Sequence, residues 1–237
     1  MTYLEWPRRV AALGQFHVDD VERPALDKDT DHHLRRVLRA QDGEEIVVTN
    51  GRGSWALARV HPNGLELESD VHLDPAPSET TIYLTPLKGD RSEWAVAKAT
   101  EVGITRVVPL IAERMVVKFK GEAREKILSR WRRVAAEATG QSRRTYDVII
   151  DEPVKVADVP ASVAVADFTG SGNWGDLQSV AVGPEGGWAR DEWDTSRRHV
   201  GLGPSVLRAE TAGIVAASLL AFQAGGWGFT LHGPQSE

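Results

Sequence analysis

The stretch SVAVGPEGGWARDEW, Ser179 to Trp193, turns an apolar run into a glycine-rich loop within a few residues. Val180-Ala181-Val182 has the composition of a short strand. Gly183, Pro184, Gly186 and Gly187 then surround the carboxylate of Glu185. Glycine has no Cβ, so the main chain at these positions can approach a ligand or a crossing segment closely. A second loop of the same kind lies downstream. His199 to Leu202 reads as a strand, and LGPSVLRAETA (Leu202 to Ala212) follows it through Gly203-Pro204 into a helix start bearing Arg208, Glu210 and Thr211.

Working outward, the chain from Thr81 onward alternates strands and helices. Thr81–Thr85, Arg106–Ile111, Asp147–Ile150, Ser162–Ala166, Val180–Val182 and His199–Leu202 are predicted strands. Arg91–Val102, Glu122–Thr139 and Ala209–Phe222 are predicted helices, the second with Ile127, Trp131, Val134 and Ala138 on one stripe. Such alternation implies an α/β fold with a mostly parallel sheet. Ligands of open α/β sheets sit outside the carboxyl ends of the strands. The two Gly-Pro loops therefore form two walls of one expected pocket, with Leu84, Thr85 and Pro86 as a third.

The N-terminal part reads differently. Glu45–Asn50, Ser54–His61 and Gly64–Ser69 are short strands separated by Asn/Gly turns, which suggests a small barrel, with a helix over Asp31–Leu38. Asp74-Pro75-Ala76-Pro77-Ser78 interrupts any regular element. The expected organisation is a barrel domain over 1–74, a linker over 75–79 and an α/β domain over 80–237.

Composition narrows the function. The chain has 237 residues, a net charge of −6 and no cysteine, which excludes disulfides, thiolate metal sites and a cysteine nucleophile. Lys88 to Arg144 nevertheless carries 14 Lys and Arg against 7 Asp and Glu, a basic middle suited to a polyanion. The longest apolar stretch, Ala212–Ala224, is broken by Gly213, Ser218 and Gln223, and the first ten residues hold no export-type apolar core, so a cytoplasmic protein without a membrane segment is expected. No dinucleotide fingerprint or Walker loop is present. Gly51-Arg52-Gly53 reads as a hairpin turn, and the adjacent His32-His33 pair points in different directions on a helix, so no metal site is expected.

GPEGGW, LGPSVLRAETA, KGDRSEWAVAKATEVGI, EATGQSRR and HHLRRVLRAQDGE together resemble the signature blocks of the RsmE family, over roughly Trp6 to Phe222. These are S-adenosylmethionine-dependent methyltransferases of the SPOUT class acting on nitrogen 3 of a uridine in 16S rRNA. The resemblance implies an N-terminal PUA-like RNA-binding barrel, a C-terminal deep trefoil knot and a homodimer. It also implies that Gly183, Pro184, Glu185, Gly186 and Gly187, with Leu202, Gly203, Val206, Leu207 and Thr211, hold S-adenosylmethionine largely through backbone groups.

A guanidinium supplies several fixed donors, so Arg208 is the candidate for stabilising charge on the uracil oxygens. Glu210 either orients Arg208 or accepts the proton, and Glu185 competes for that role. The implied contacts to the 30S subunit are Arg8, Arg9, His33, Arg35, Arg36 and Arg39 from the first domain and Lys88, Arg91, Arg143 and Arg144 from the second. A SPOUT enzyme of tRNA or of ribose hydroxyls, and a ribosome-binding factor without catalysis, are the competing readings. Two positions depart from the family pattern. Gly140 stands where a helix-favouring acidic residue is expected, and no aromatic follows Arg8-Arg9.

Overall fold

The computed structural model describes residues 5–171 and 173–225 and divides into two compact units. The first comprises residues 1–77 together with 135–148; the second comprises 78–134 and 149–237. The segment 135–148, which the sequence assigns to the second domain, thus packs with the first.

In the first unit, helix α1 (Glu5–Ala11) leads into strand β1 (Gln15–His17), which runs parallel to β2 (Glu45–Thr49). Strands β2 and β3 (Ser54–His61) form an antiparallel hairpin, and β3 pairs with β4 (Gly64–Leu67) and β5 (His72–Leu73). The resulting sheet has the order β1-β2-β3-β4. It is covered on both faces. Ile46, Val48, Ala56, Ala58 and Val60 face Phe16, Val18, Val21 and Leu34, while Val47, Trp55 and Leu57 face Ala12 on the other side. This double burial explains why β2 reads Ile-Val-Val rather than alternating. Each such aliphatic side chain contributes roughly 1.5–3 kcal/mol by leaving water.

Helix α2 (Lys28–His32) is capped by Asp27, whose carboxylate accepts the amides of Asp29 and Thr30, and continues as a π-helical turn over His33–Val37. The β2–β3 turn is fixed from below by residues 145–147. Gly51 and Gly53 have φ of 67° and 98°, and a side chain on either would collide with Asp147 or the Tyr146 ring.

The second unit holds a parallel sheet of β6 (Thr81–Leu84), β7 (Arg106–Ile111), β8 (Ile149–Ile150), β9 (Val154–Lys155), β10 (Ala164–Ser171), β11 (Ser179–Val182) and β12 (His199–Val200). Its order is β12-β10-β11-β6-β7-β8, with β9 on β7. One face buries Tyr83, Val108, Leu110, Val165, Ala181 and Trp193. Helix α5 (Ala209–Gln223) packs on β6 and β11 and touches helix α3 (Arg91–Glu101). Gly213 lets α5 lie close, since a Cβ there would stand 3.1 Å from Leu84. Helix α4 spans Gly121–Gln141. It runs through Gly140 instead of stopping at Thr139; that position faces the Gln15 carbonyl so closely that a Cβ would stand 3.1 Å from it. Space, not helix termination, explains this glycine. No helix among the described residues is long and apolar enough to cross a membrane.

Candidate active site

The sheet of the second unit builds outward from β6 through β7 to β8, then resumes on the other side of β6 with β11, β10 and β12. Strand order therefore reverses between β6 and β11. Because every pairing in this sheet is parallel, the loops after β10, β11 and β12 all leave from the same end. That end is where a ligand of such a sheet is expected.

The loops enclose a cleft of about 960 Å³, lined by residues 166–169, 182–190, 202–203 and 205–209, with Arg91, Arg114 and Ala212. Pockets for small organic ligands run roughly 300–1,000 Å³. Gly183, Pro184, Glu185, Gly186, Gly187, Leu202, Gly203, Val206 and Leu207, drawn from two separate stretches of sequence, are brought together here. Gly187 and Gly203 have φ of 66° and 127°, conformations that side-chain-bearing residues avoid. Gly183 lies under the Trp188 indole, 3.0 Å from where its Cβ would be. Leu84 and Thr85 instead line a small neighbouring space with Trp131 and Ser92, Pro86 is buried, and Thr211 is not in the cleft lining. The third expected wall therefore supports the cleft from behind.

Two features were not legible in the sequence. The first is the close apposition of segments 170–171 and 200–201, neighbours in the parallel β10–β12 ladder. The Gly201 amide donates to the Ser171 carbonyl at 2.7 Å, and a Cβ on Gly170 would land on the main chain of Val200 and Gly201. The second is a tryptophan framework. Trp188 donates to the Ala166 carbonyl at 3.0 Å and Trp174 to the Gly201 carbonyl at 3.1 Å, while Trp188 and Trp193 meet edge to face with centroids 5.0 Å apart. Glu192 ties the same loop down by accepting the amides of Glu113 and Ala189.

The charged groups pair in an unexpected way. Arg91, expected to reach RNA, contacts both carboxylates, at 2.6 Å from Glu185 and 3.8 Å from Glu210. Glu210 is 8% exposed, with Oε2 accepting no hydrogen bond. Its ionic partner is thus Arg91 and not Arg208. Arg208 is exposed in the cleft lining, at the start of α5. A cleft walled by the glycine-rich loops 183–187 and 202–203, with four arginines and the carboxylates of Asp167 and Glu185 among its lining groups, fits an extended organic cofactor. Among the described residues no three His, Cys, Asp or Glu side chains gather as metal donors do.

The nucleic-acid candidates divide. His33, Arg36, Arg39 and Lys88 are exposed. Arg35 is held by Asp31 at 2.9 Å and donates to the His61 carbonyl at 2.7 Å, and Arg8 pairs with Glu45. Arg9 is a correction: it is 2% exposed, donating to Asp74 at 2.9 Å and to the Arg143 carbonyl. Its guanidinium lies 4.8 Å from the Trp55 ring centroid. Arg143 and Arg144 are half-buried. Arg143 donates to the Ala12 carbonyl at 2.7 Å, the Arg144 carbonyl accepts from Gln15, and burial pushes the Arg144 guanidinium down to about 10.

Comparison with known proteins defines the class. The family model for an RNA methyltransferase domain matches residues 74–221, and that for an RNA methyltransferase PUA domain matches residues 26–68. The chain is 32% identical to ribosomal RNA small subunit methyltransferase E of Mycobacterium bovis, over 85% of this chain and 87% of that protein. The same enzyme from Neisseria gonorrhoeae, solved with S-adenosylmethionine bound, is 26% identical with a TM-score of 0.73, covering 88% of this chain and 96% of that one. A methyltransferase of Legionella pneumophila, also solved with the cofactor, is 25% identical with a TM-score of 0.76 over the same shares. The chain belongs to the ribosomal RNA small subunit methyltransferase E family.

Proposed function

We propose that this chain transfers a methyl group from S-adenosylmethionine to nitrogen 3 of a uridine in 16S rRNA of the small ribosomal subunit. The observation that carries this reading is the convergence of the two Gly-Pro loops on one cleft at the carboxyl ends of the parallel strands. Residues 1–74 act as a PUA-like RNA-binding barrel, and residues 80–237 as a SPOUT domain with a deep trefoil knot. Gly170 and Gly201 let β10 and β12 lie backbone on backbone there, where side chains would not fit. The protein works as a cytoplasmic homodimer.

Bound in the cleft, the cofactor supplies an electrophilic methyl carbon on a sulfonium. The main chain of residues 183–187 and 202–207 would hold it. On the uracil side, N3 must lose its proton as its lone pair bonds the methyl, and the C–S bond electrons pass to sulfur. Arg208 offers a planar set of donors to the uracil oxygens on which negative charge grows. Of the two carboxylates Glu185 lines the cleft, held by Arg91 at 2.6 Å, and taking the proton requires it to give up that ion pair; Glu210 lies outside the lining, 3.8 Å from the same guanidinium. Arg91 in turn ties the 183–187 loop to α5. His33, Arg36, Arg39 and Lys88 contribute phosphate contacts.

The test is methyl transfer from labelled cofactor to 30S subunits lacking the modification. Label is expected on a uracil N3 of 16S rRNA. An Arg208→Ala variant is expected to lose about 10²–10³-fold in kcat, the effect typical of removing one charge-stabilising donor, with cofactor affinity kept within about twofold. Label on tRNA or on a ribose hydroxyl, or an absence of cofactor binding by calorimetry, overturns the reading.

A further inference from the structure

Between Ala166 and Ser171 strand β10 leaves its ladder, for both of these residues pair with Val200 of β12. Residues 167–170 bulge out as a loop, and Phe168 at its crown is 84% exposed. An aromatic ring this open is unusual in a folded protein, where such rings are mostly covered. The loop is not loose. Asp167 accepts the amide and the hydroxyl of Thr169, both at 2.8 Å, and its other oxygen stands 3.9 Å from His199. Bulges of this kind re-aim a side chain beside a site, and Phe168 lines the same cleft as the two Gly-Pro loops. Arg114, Arg190 and Arg208 share that lining.

We infer that Phe168 is the stacking platform for the target nucleobase, a substrate-positioning contact made when the uridine is drawn out of its stack. An enzyme that reacts at a ring nitrogen used in base pairing has to expose that edge, and an extruded base is held against an aromatic face. The flanking guanidiniums of Arg114 and Arg190 supply the phosphate contacts that a stack alone lacks. A ring standing this far into solvent suits a base that arrives from outside. This inference rests on the methyltransferase reading above.

The experiment compares wild type with Phe168→Ala, Phe168→Leu and Phe168→Trp. Methyl transfer to 30S subunits, binding of a uridine-containing stem-loop by fluorescence anisotropy, cofactor binding by calorimetry, and sedimentation are measured on each. Expected is a loss of about tenfold or more in kcat/KM and in stem-loop affinity for Phe168→Ala, as for deletion of one base–aromatic stack. Phe168→Leu should stay low and Phe168→Trp should recover, with cofactor affinity unchanged throughout. A parallel loss of cofactor affinity would assign the ring to the adenine. A change in sedimentation would assign it to a contact between two copies. Equal activities and affinities in all four proteins would leave it no role; each of these three results overturns the inference. Wild-type protein that fails to methylate 30S subunits would instead sink the parent reading.

Discussion

Replacing Arg9 by methionine tests whether this arginine is a structural strut or a hand for RNA. The side chain is 2% exposed, bonded to Asp74 at 2.9 Å and to the Arg143 carbonyl, and stacked on Trp55. Removing one partner of a buried ion pair costs about 3–5 kcal/mol, because the other charge stays behind. Asp74 keeps two donors, the Trp55 indole at 2.9 Å and the Thr145 hydroxyl at 2.8 Å, so the loss falls at the lower end. Methionine also refills part of the space over the indole. A net loss of about 3 kcal/mol lowers the melting temperature of a chain this size by roughly 6–12 °C. Arg9→Lys should lie between, since an ammonium cannot both stack and fork to two acceptors. Thermal unfolding followed by tryptophan fluorescence reads the stability, and stem-loop affinity is measured well below the transition. Arg9→Met that melts within about 2 °C of wild type yet loses RNA affinity would refute the strut and restore the surface role.

Two further outcomes are expected. Gly170→Ala places a methyl on the main chain of Val200 and Gly201, 2.7 Å from the Gly201 nitrogen, so cofactor binding by calorimetry should fall at least tenfold and the melting temperature should drop; unchanged binding would separate this β10–β12 apposition from the site. Burial pushes the Asp74 carboxyl up, but bonds from Thr145, Arg9 and Trp55 together outweigh it and hold the group below the usual carboxylate range. Its contribution is complete above the unfolded value of about 3.9 and disappears as pH falls through the lower folded value. Below about pH 4 wild type should therefore lose stability faster than Asp74→Asn; parallel acid profiles in urea titrations would contradict this.

Much of this molecule could be read from local pattern. The β–α alternation after Thr81 and the helices α3, α4 and α5 follow from apolar spacing, and the two Gly-Pro loops announce themselves by composition. What stayed hidden is non-local. Arg9 looks like any surface cation, because nothing near it in sequence tells that Trp55, Asp74 and the Arg143 carbonyl converge on it. Arg91 lies in a basic run, yet its partners Glu185 and Glu210 are about a hundred residues away. Gly170 and Gly201 carry no motif; only their apposition explains them. Strand β1 is three residues long and pairs in parallel with β2, a register that short patterns do not specify.

The divided first unit has a consequence for synthesis. Residues 1–77 leave the ribosome well ahead of 135–148, yet Asp74 takes a bond from Thr145 and the Gly51–Gly53 turn is covered by Tyr146 and Asp147. Until that later stretch emerges, the guanidinium of Arg9 has no carbonyl from Arg143 to close on. The amino-terminal part of the nascent chain therefore waits, incomplete, for a piece encoded past the middle of the gene, and a clone ending at residue 77 would leave it permanently in that state.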